Sequence, residues 1–238
     1  THKRHTPPPT QRSLSLVEKT HVHVLTPQST PLVALLQASP LVLPGGEPLD
    51  LLDLAHERDV VLNAIRRAGR QLAAVADFCT SRRLRELLTL GVRIVHFTGH
   101  GFDAADADGV RRARLCFEDG RGGTHAIEVR ELVGLVAAGG SGTAPPLDLV
   151  FVSACHSSRV GDAFVAAGVP HVVAVARDSQ LLDRAAAVFA EAFYYALFNG
   201  RTVRQAFEIG KSQVASTPHM CRAAAERDAF RLLPAAAA

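Results

Sequence analysis

Two residues that follow apolar runs carry the side chains best suited to covalent chemistry. Arg93-Ile94-Val95-His96-Phe97-Thr98 leads straight into Gly99-His100-Gly101, and Leu147 to Ser153 ends just before Ala154 and Cys155. A thiol near neutral pH is only slightly ionised, so a neighbouring imidazole is needed to raise its nucleophilicity. Cys155 as nucleophile with His100 as base would supply that pair for acyl transfer. The glycine on each side of His100 suits an unusual backbone turn and a close substrate approach. The backbone N–H groups of Gly101 and Cys155 would then form an oxyanion hole, two donors worth roughly 3 kcal/mol each. Asp162 reads as a cap or a solvent-facing acid. No third side chain is identified to orient the base, and a Cys–His dyad does not strictly need one.

Taken singly, a cysteine at a strand end is usually core and a histidine after a strand is often a polar cap. Two such residues at equivalent strand ends are more specific, because open α/β sheets gather functional groups beyond the carboxyl ends of their strands. The other candidates are weighed the same way. His96 shares a strand face with Thr98 and is expected to be a buried, hydrogen-bonded core histidine. His156 follows the nucleophile and is expected to line the cleft. Asp103, Asp106 and Asp108 lack the spacing of a calcium loop and read as a solvated acidic loop. His21 and His23 read as solvated, so no metal is expected. The glycines at 139–142 are not followed by Gly-Lys-Ser/Thr, which leaves no phosphate cradle and no cofactor.

The elements that must position these residues alternate between strand and helix. Strands are expected at Leu32–Leu36, Gln71–Ala76, Arg93–Thr98, Leu147–Ser153 and His171–Ala176, with a further edge strand at His21–Leu25. Helices are expected over Asp50–Ala68, from a cap at Ser81 to about Leu90, over Val129–Ala138 and Val160–Ala167, from Asp183 to Asn199, and from Thr202 to about Val214. Arg114–Glu118 and His125–Ile127 read as a β-hairpin, and the stretch before it, FDAADADGVRRAR, as a polar loop. The tail after Ser216 reads as loop or frayed helix. This order predicts an α/β fold: a mostly parallel sheet with helices on both faces, over residues 21–238. Residues 1–20 are basic and proline-rich and read as a linker or arm.

Composition narrows the function classes. Hydrophobic residues at 47% allow a sizeable core, and 26 basic against 23 acidic residues leave a formal net charge of only +3, too balanced for nucleic acid or an anionic membrane as main partner. No apolar run is long enough to span a bilayer, and no signal peptide is visible. The four cysteines Cys79, Cys116, Cys155 and Cys221 form no CxxC pair, which fits a reducing compartment and a cytoplasmic location.

HFTGHG followed by LVFVSACHSS resembles the caspase-type peptidases of clan CD. His100 precedes Cys155 by 55 residues, close to the spacing of about 50 in caspases, and SAC stands where caspases have QAC. GDAFVAAGVPHVVAV, DRAAAVFAEAFYYAL and NGRTVRQAF resemble more narrowly the CHAT family of caspase relatives, often found beside tetratricopeptide repeats. The likeness covers about Leu32 to Val214. It implies a caspase-like three-layer sandwich, a catalytic His100, a nucleophilic Cys155, hydrolysis of peptide bonds in specific protein substrates, and gating by a regulatory protein or fused domain. It also puts 176–183 at the wall of the S1 pocket, where Asp178 or Asp183 would pair with a substrate Lys or Arg. Asp183 also reads as a helix cap, and Asp178 as a solvated loop residue. Ser153 stands where metacaspases have an acid, and the chain lacks the Trp that CHAT members often carry before the long helix. Arg111-Arg112-Ala113-Arg114 is a candidate processing site for a peptidase of basic specificity. The reading is thus a cysteine endopeptidase. Its rivals are a catalytically silent caspase-like interaction module and an acyl hydrolase or transferase acting on non-peptide groups.

Overall fold

Five short apolar runs set the frame of the protein. The computed structural model describes residues 32–69, 72–105, 108–139, 147–155, 157–176, 183–217 and 228–234. Within these, β1 (Val33–Gln37), β2 (Ala74–Phe78), β3 (Ile94–Thr98), β7 (Leu149–Ser153) and β8 (His171–Val175) pair in parallel, in the order β2-β1-β3-β7-β8. β9 (Phe230–Leu233) closes the sheet antiparallel to β8. The sequences VALLQ, IVHFT and LVFVS are buried along their whole length, as parallel strands covered on both faces must be.

Alternation divides those strands between two cores. Ala34, Leu36, Val95, Phe97, Val150 and Val152 face one layer, built with α2 (Ser81–Thr89), α3 (Val129–Gly139) and α4 (Ser158–Ala166). Val33, Leu35, Ile94, Leu149, Phe151 and Val173 face the other, built with α1 (Leu54–Arg67), α5 (Asp183–Phe198) and α6 (Val203–Ser216). The second core is aromatic: Phe189 stacks on Phe230 at 3.9 Å and meets Phe207 edge-on at 5.5 Å. The result is the expected three-layer arrangement. Among the described residues no helix is long and apolar enough to cross a membrane.

Several boundaries differ from expectation for local reasons. α2 is capped by Thr80, whose side chain accepts from the Arg83 N–H, and not by Ser81. The stretch read as a polar loop contains β4 (Gly101–Ala105), which pairs antiparallel with β5 (Arg111–Glu118), itself paired to β6 (Thr124–Glu128). A single charge, Asp103, and the polar residues that follow it mask this strand. The tail read as loop or frayed helix supplies β9. The edge strand expected at His21–Leu25 lies outside the described residues. α6 follows expectation, with a full capping box between Thr202 and Gln205. Gly200, at φ +86°, turns the chain between α5 and α6 in a conformation that a Cβ would strain.

Candidate active site

β3 and β7 are direct neighbours, with Thr98 opposite Ser153. The pairing continues one step further, since the Gly99 N–H donates to the Ser153 carbonyl at 3.1 Å. His100 lies two residues past the end of β3, and Cys155 two residues past the end of β7. Both line the same small cavity of about 50 Å³ at the carboxyl rim of the sheet, with Asp53, Glu57, Thr98 and Ser153 in its walls.

Backbone packing brings the two segments together. A Cβ added to Gly101 would lie 2.4 Å from the Cys155 carbonyl oxygen, so only glycine allows this approach. Gly99 is confined likewise, with the Phe97 ring 2.7 Å from such a Cβ. Gly101 faces Leu115 across the β4–β5 ladder, and the bond there runs from the Cys116 N–H to the His100 carbonyl, at 3.0 Å. That pattern marks Gly101 and Leu115 as a non-hydrogen-bonded pair, so β5 does not occupy the Gly101 N–H. On the other side, Ser157 fixes the turn after Cys155. Its Oγ donates to the Val152 carbonyl at 3.3 Å and accepts from the Val175 N–H at 2.9 Å.

His100 Nε2 lies 2.7 Å from the backbone carbonyl of Asp50. A carbonyl only accepts, so Nε2 carries the proton and Nδ1 of the neutral ring keeps its lone pair. The sequence offered no third side chain to orient His100; a main-chain oxygen in the β1–α1 connection meets its ring instead. Residue types give no signal for a backbone group.

The cysteines separate by environment. Cys79 and Cys116 are fully buried, whereas Cys155 is half-buried. Burial, aided by the nearby Glu118 carboxylate, holds the Cys79 thiol far above its usual range. Burial pushes Cys116 up to about 12, against a hydrogen bond with Thr124. Both are inert core thiols, as expected. Cys221 lies outside the described residues.

Beneath the cavity sits a buried polar network. His96 is 2% exposed; its Nε2 lies 3.1 Å from Glu57 Oε1 and 3.0 Å from Thr98 Oγ1, and its Nδ1 lies 3.1 Å from the Tyr194 hydroxyl. The ring stacks on Phe151 at 4.6 Å. Burial, with Glu57 close by, raises the Tyr194 phenol well above its usual value, so it stays protonated. His96 is therefore the satisfied core histidine that its position predicts. Glu57 was missed. Its signal is spacing: Glu57, Val61, Ala64 and Ile65 form the buried stripe of α1, which places a carboxylate on an apolar face.

Of the remaining candidates, Asp183 is the first residue of α5, while His156 and Asp178 lie outside the described residues. Asp103 is not in a solvated loop. It belongs to β4, its side chain is 12% exposed, and its Oδ2 lies 3.8 Å from Arg159 Nη1. Arg111–Arg114 are likewise strand residues, paired to β4 and in part to β6. A paired strand does not offer the extended, free backbone that a processing site needs.

A family model described as "CHAT domain" matches residues 5–226. Comparison with curated proteins gave no match. Among solved structures, the Arg-specific cysteine proteinase gingipain R (RGPB) superposes with a TM-score of 0.53 at 15% identity, over 84% of this chain and 45% of that one. This chain therefore spans less than half the length of that structure. The Drosophila initiator caspase Dronc superposes with a TM-score of 0.46 at 6% identity, over 91% of this chain and 87% of that one. The fold is caspase-like, with a mostly parallel six-stranded sheet between helical layers.

Proposed function

We propose, for a chain that belongs to the CHAT domain family, that it is a cysteine endopeptidase working through Cys155 and His100. The observation that carries this reading is the joint placement of the two residues. They line one cavity, the Gly101 backbone presses on the Cys155 carbonyl, and His100 is oriented through Nε2 with Nδ1 left as the basic nitrogen. Nδ1 takes the thiol proton, and the thiolate attacks the peptide carbonyl carbon. The N–H groups of Gly101 and Cys155 hold the resulting oxyanion. The C–N bond breaks as His100 returns the proton to the leaving amine. Water, deprotonated by His100, then hydrolyses the thioester and frees the thiol.

Substrates are specific proteins cut at few sites. Asp178 and Asp183 are assigned to the S1 wall, where either would pair with a substrate Lys or Arg, and His156 to the cleft. Activity is gated by a partner protein or an attached domain. Among the described residues Cys79 and Cys116 in the core and Cys155 in the cleft are free thiols, which supports a reducing, cytoplasmic setting.

A positional-scanning peptide library tests this reading. Wild type should hydrolyse a restricted set of peptides and Cys155→Ala none. Cleavage after Lys or Arg, weakened by Asp178→Asn or Asp183→Asn, supports the assigned wall; cleavage after apolar residues removes it. No hydrolysis by wild type, with or without candidate partners, favours the silent interaction module.

A further inference from the structure

β5 opens with Arg111 and Arg112, and these line a groove of about 380 Å³ together with Arg130 of α3 and Arg159 of α4. Part of this charge is met locally. Arg112 pairs with Asp108 at 2.8 Å, Arg114 with Glu128 at 3.0 Å, and Arg159 reaches Asp103 at 3.8 Å. Among the described residues Arg111 and Arg130 form no ion pair; Arg111 donates instead to the Asp103 carbonyl at 2.8 Å. The groove lining holds four arginines (111, 112, 130 and 159) and one carboxylate, Glu128, so its wall is basic. Arg130 and Arg159 also stand in the first turns of their helices, where the backbone dipole already favours an anion and disfavours a cation.

We propose that this groove docks an acidic segment of a partner protein, with carboxylates engaging Arg111 and Arg130. A guanidinium holds a carboxylate through two parallel hydrogen bonds, and the three local pairs show that carboxylates fit among these side chains. Glu128 in the wall selects the occupant further. It repels a dense cluster of phosphates, whereas carboxylates spaced along a chain can lie to either side of it. The N-terminal segment of this chain has the wrong sign, since residues 1–20 hold Lys3, Arg4, Arg12 and Lys19 against Glu18.

The groove also joins the supports of both active-site residues. β5 pairs with β4, which starts at Gly101; Arg159 lies on the helix that follows Cys155 and donates to the Arg111 carbonyl at 3.2 Å. A segment seated there braces β4 against α4, and this consequence rests on the peptidase reading above. The docking does not, because it is measured without turnover.

Fluorescence anisotropy of a labelled octaglutamate peptide on the full chain tests it. Wild type should bind saturably and more weakly as salt rises. Arg111→Ala/Arg130→Ala should lower the affinity about tenfold or more, with an unchanged circular dichroism spectrum. Arg201→Ala/Arg204→Ala, exposed in the turn before α6 and in its first turn on the opposite layer, should not. Single Arg130→Ala provides the same test should the double variant fail to fold. Equal loss in both double variants, or no saturable binding by wild type, overturns the proposal. So does displacement of the peptide by tripolyphosphate at a lower concentration than by unlabelled octaglutamate, which would mark a phosphate site instead.

Discussion

The proposed dyad depends on where main-chain atoms lie as much as on its two side chains. His100 is aimed by the Asp50 carbonyl, and Gly101 is held against Cys155 so closely that a methyl group would overlap its carbonyl oxygen. Neither contact can be mended by a rotamer change, because in each case the partner is backbone. Gly101→Ala should therefore displace the rim and lower peptide hydrolysis by about 100-fold, the scale expected when reacting groups move by about an ångström. Hydrolysis at the wild-type rate with the fold retained would show that this close approach has no part in the chemistry. Cys155 and His100 themselves were legible because each follows an apolar run. The Asp50 carbonyl was not, since any residue there presents the same oxygen.

At the scale of elements, β3 and β7 were read correctly because five consecutive buried residues leave an unmistakable apolar run. β4 and β9 were not, for two different reasons. β4 carries Asp103 and lies beside the polar run 106–112, so its pairing with β5 overrides a composition that suits a loop. β9 is four residues long and is defined by β8, a strand more than fifty residues earlier in the chain, and such a partner leaves no local pattern. Glu57 shows the converse case, a charge on the buried stripe of α1, satisfied by His96 from β3. That network ties α1, β3 and α5 together under the cavity. Tyr194→Phe keeps the ring and removes only the hydroxyl that meets His96. It should cost about 1–3 kcal/mol, the penalty for a buried polar group left unsatisfied, read as a lower midpoint in urea unfolding. An unchanged midpoint would mean that the Tyr194–His96 contact contributes nothing to stability.

For the molecule as a whole, the two core thiols give stability a particular pH dependence. Cys79 and Cys116 are held neutral when folded, Cys116 up to about 12, whereas in the unfolded chain a cysteine ionises near pH 8.5. This contribution is complete below about pH 8.5 and is lost as pH climbs toward 12, by up to about 1.4 kcal/mol per pH unit for each thiol. Between pH 8.5 and 10, wild type should therefore lose about 1.6 kcal/mol more than Cys116→Ala. Equal losses in the two proteins would contradict the buried, neutral Cys116. At this scale the sequence was most readable. The alternation of strand and helix follows from short apolar runs separated by stretches of helical period; which strand face meets which core follows only from the layers that cover the sheet. What period leaves undetermined is the order β2-β1-β3-β7-β8-β9, and it is this order that makes β3 and β7 neighbours.

Neighbouring strands bring a thiol and an imidazole to one rim, and the central claim is that the imidazole activates the thiol. Alkylation by iodoacetamide at pH 7, followed residue by residue by mass spectrometry, measures this without knowledge of the substrate. Cys155 should react faster than Cys79 and Cys116, and His100→Ala should slow it to the rate of an ordinary exposed thiol while the fold is retained. Reaction of Cys155 at the same rate with and without the imidazole would contradict the dyad.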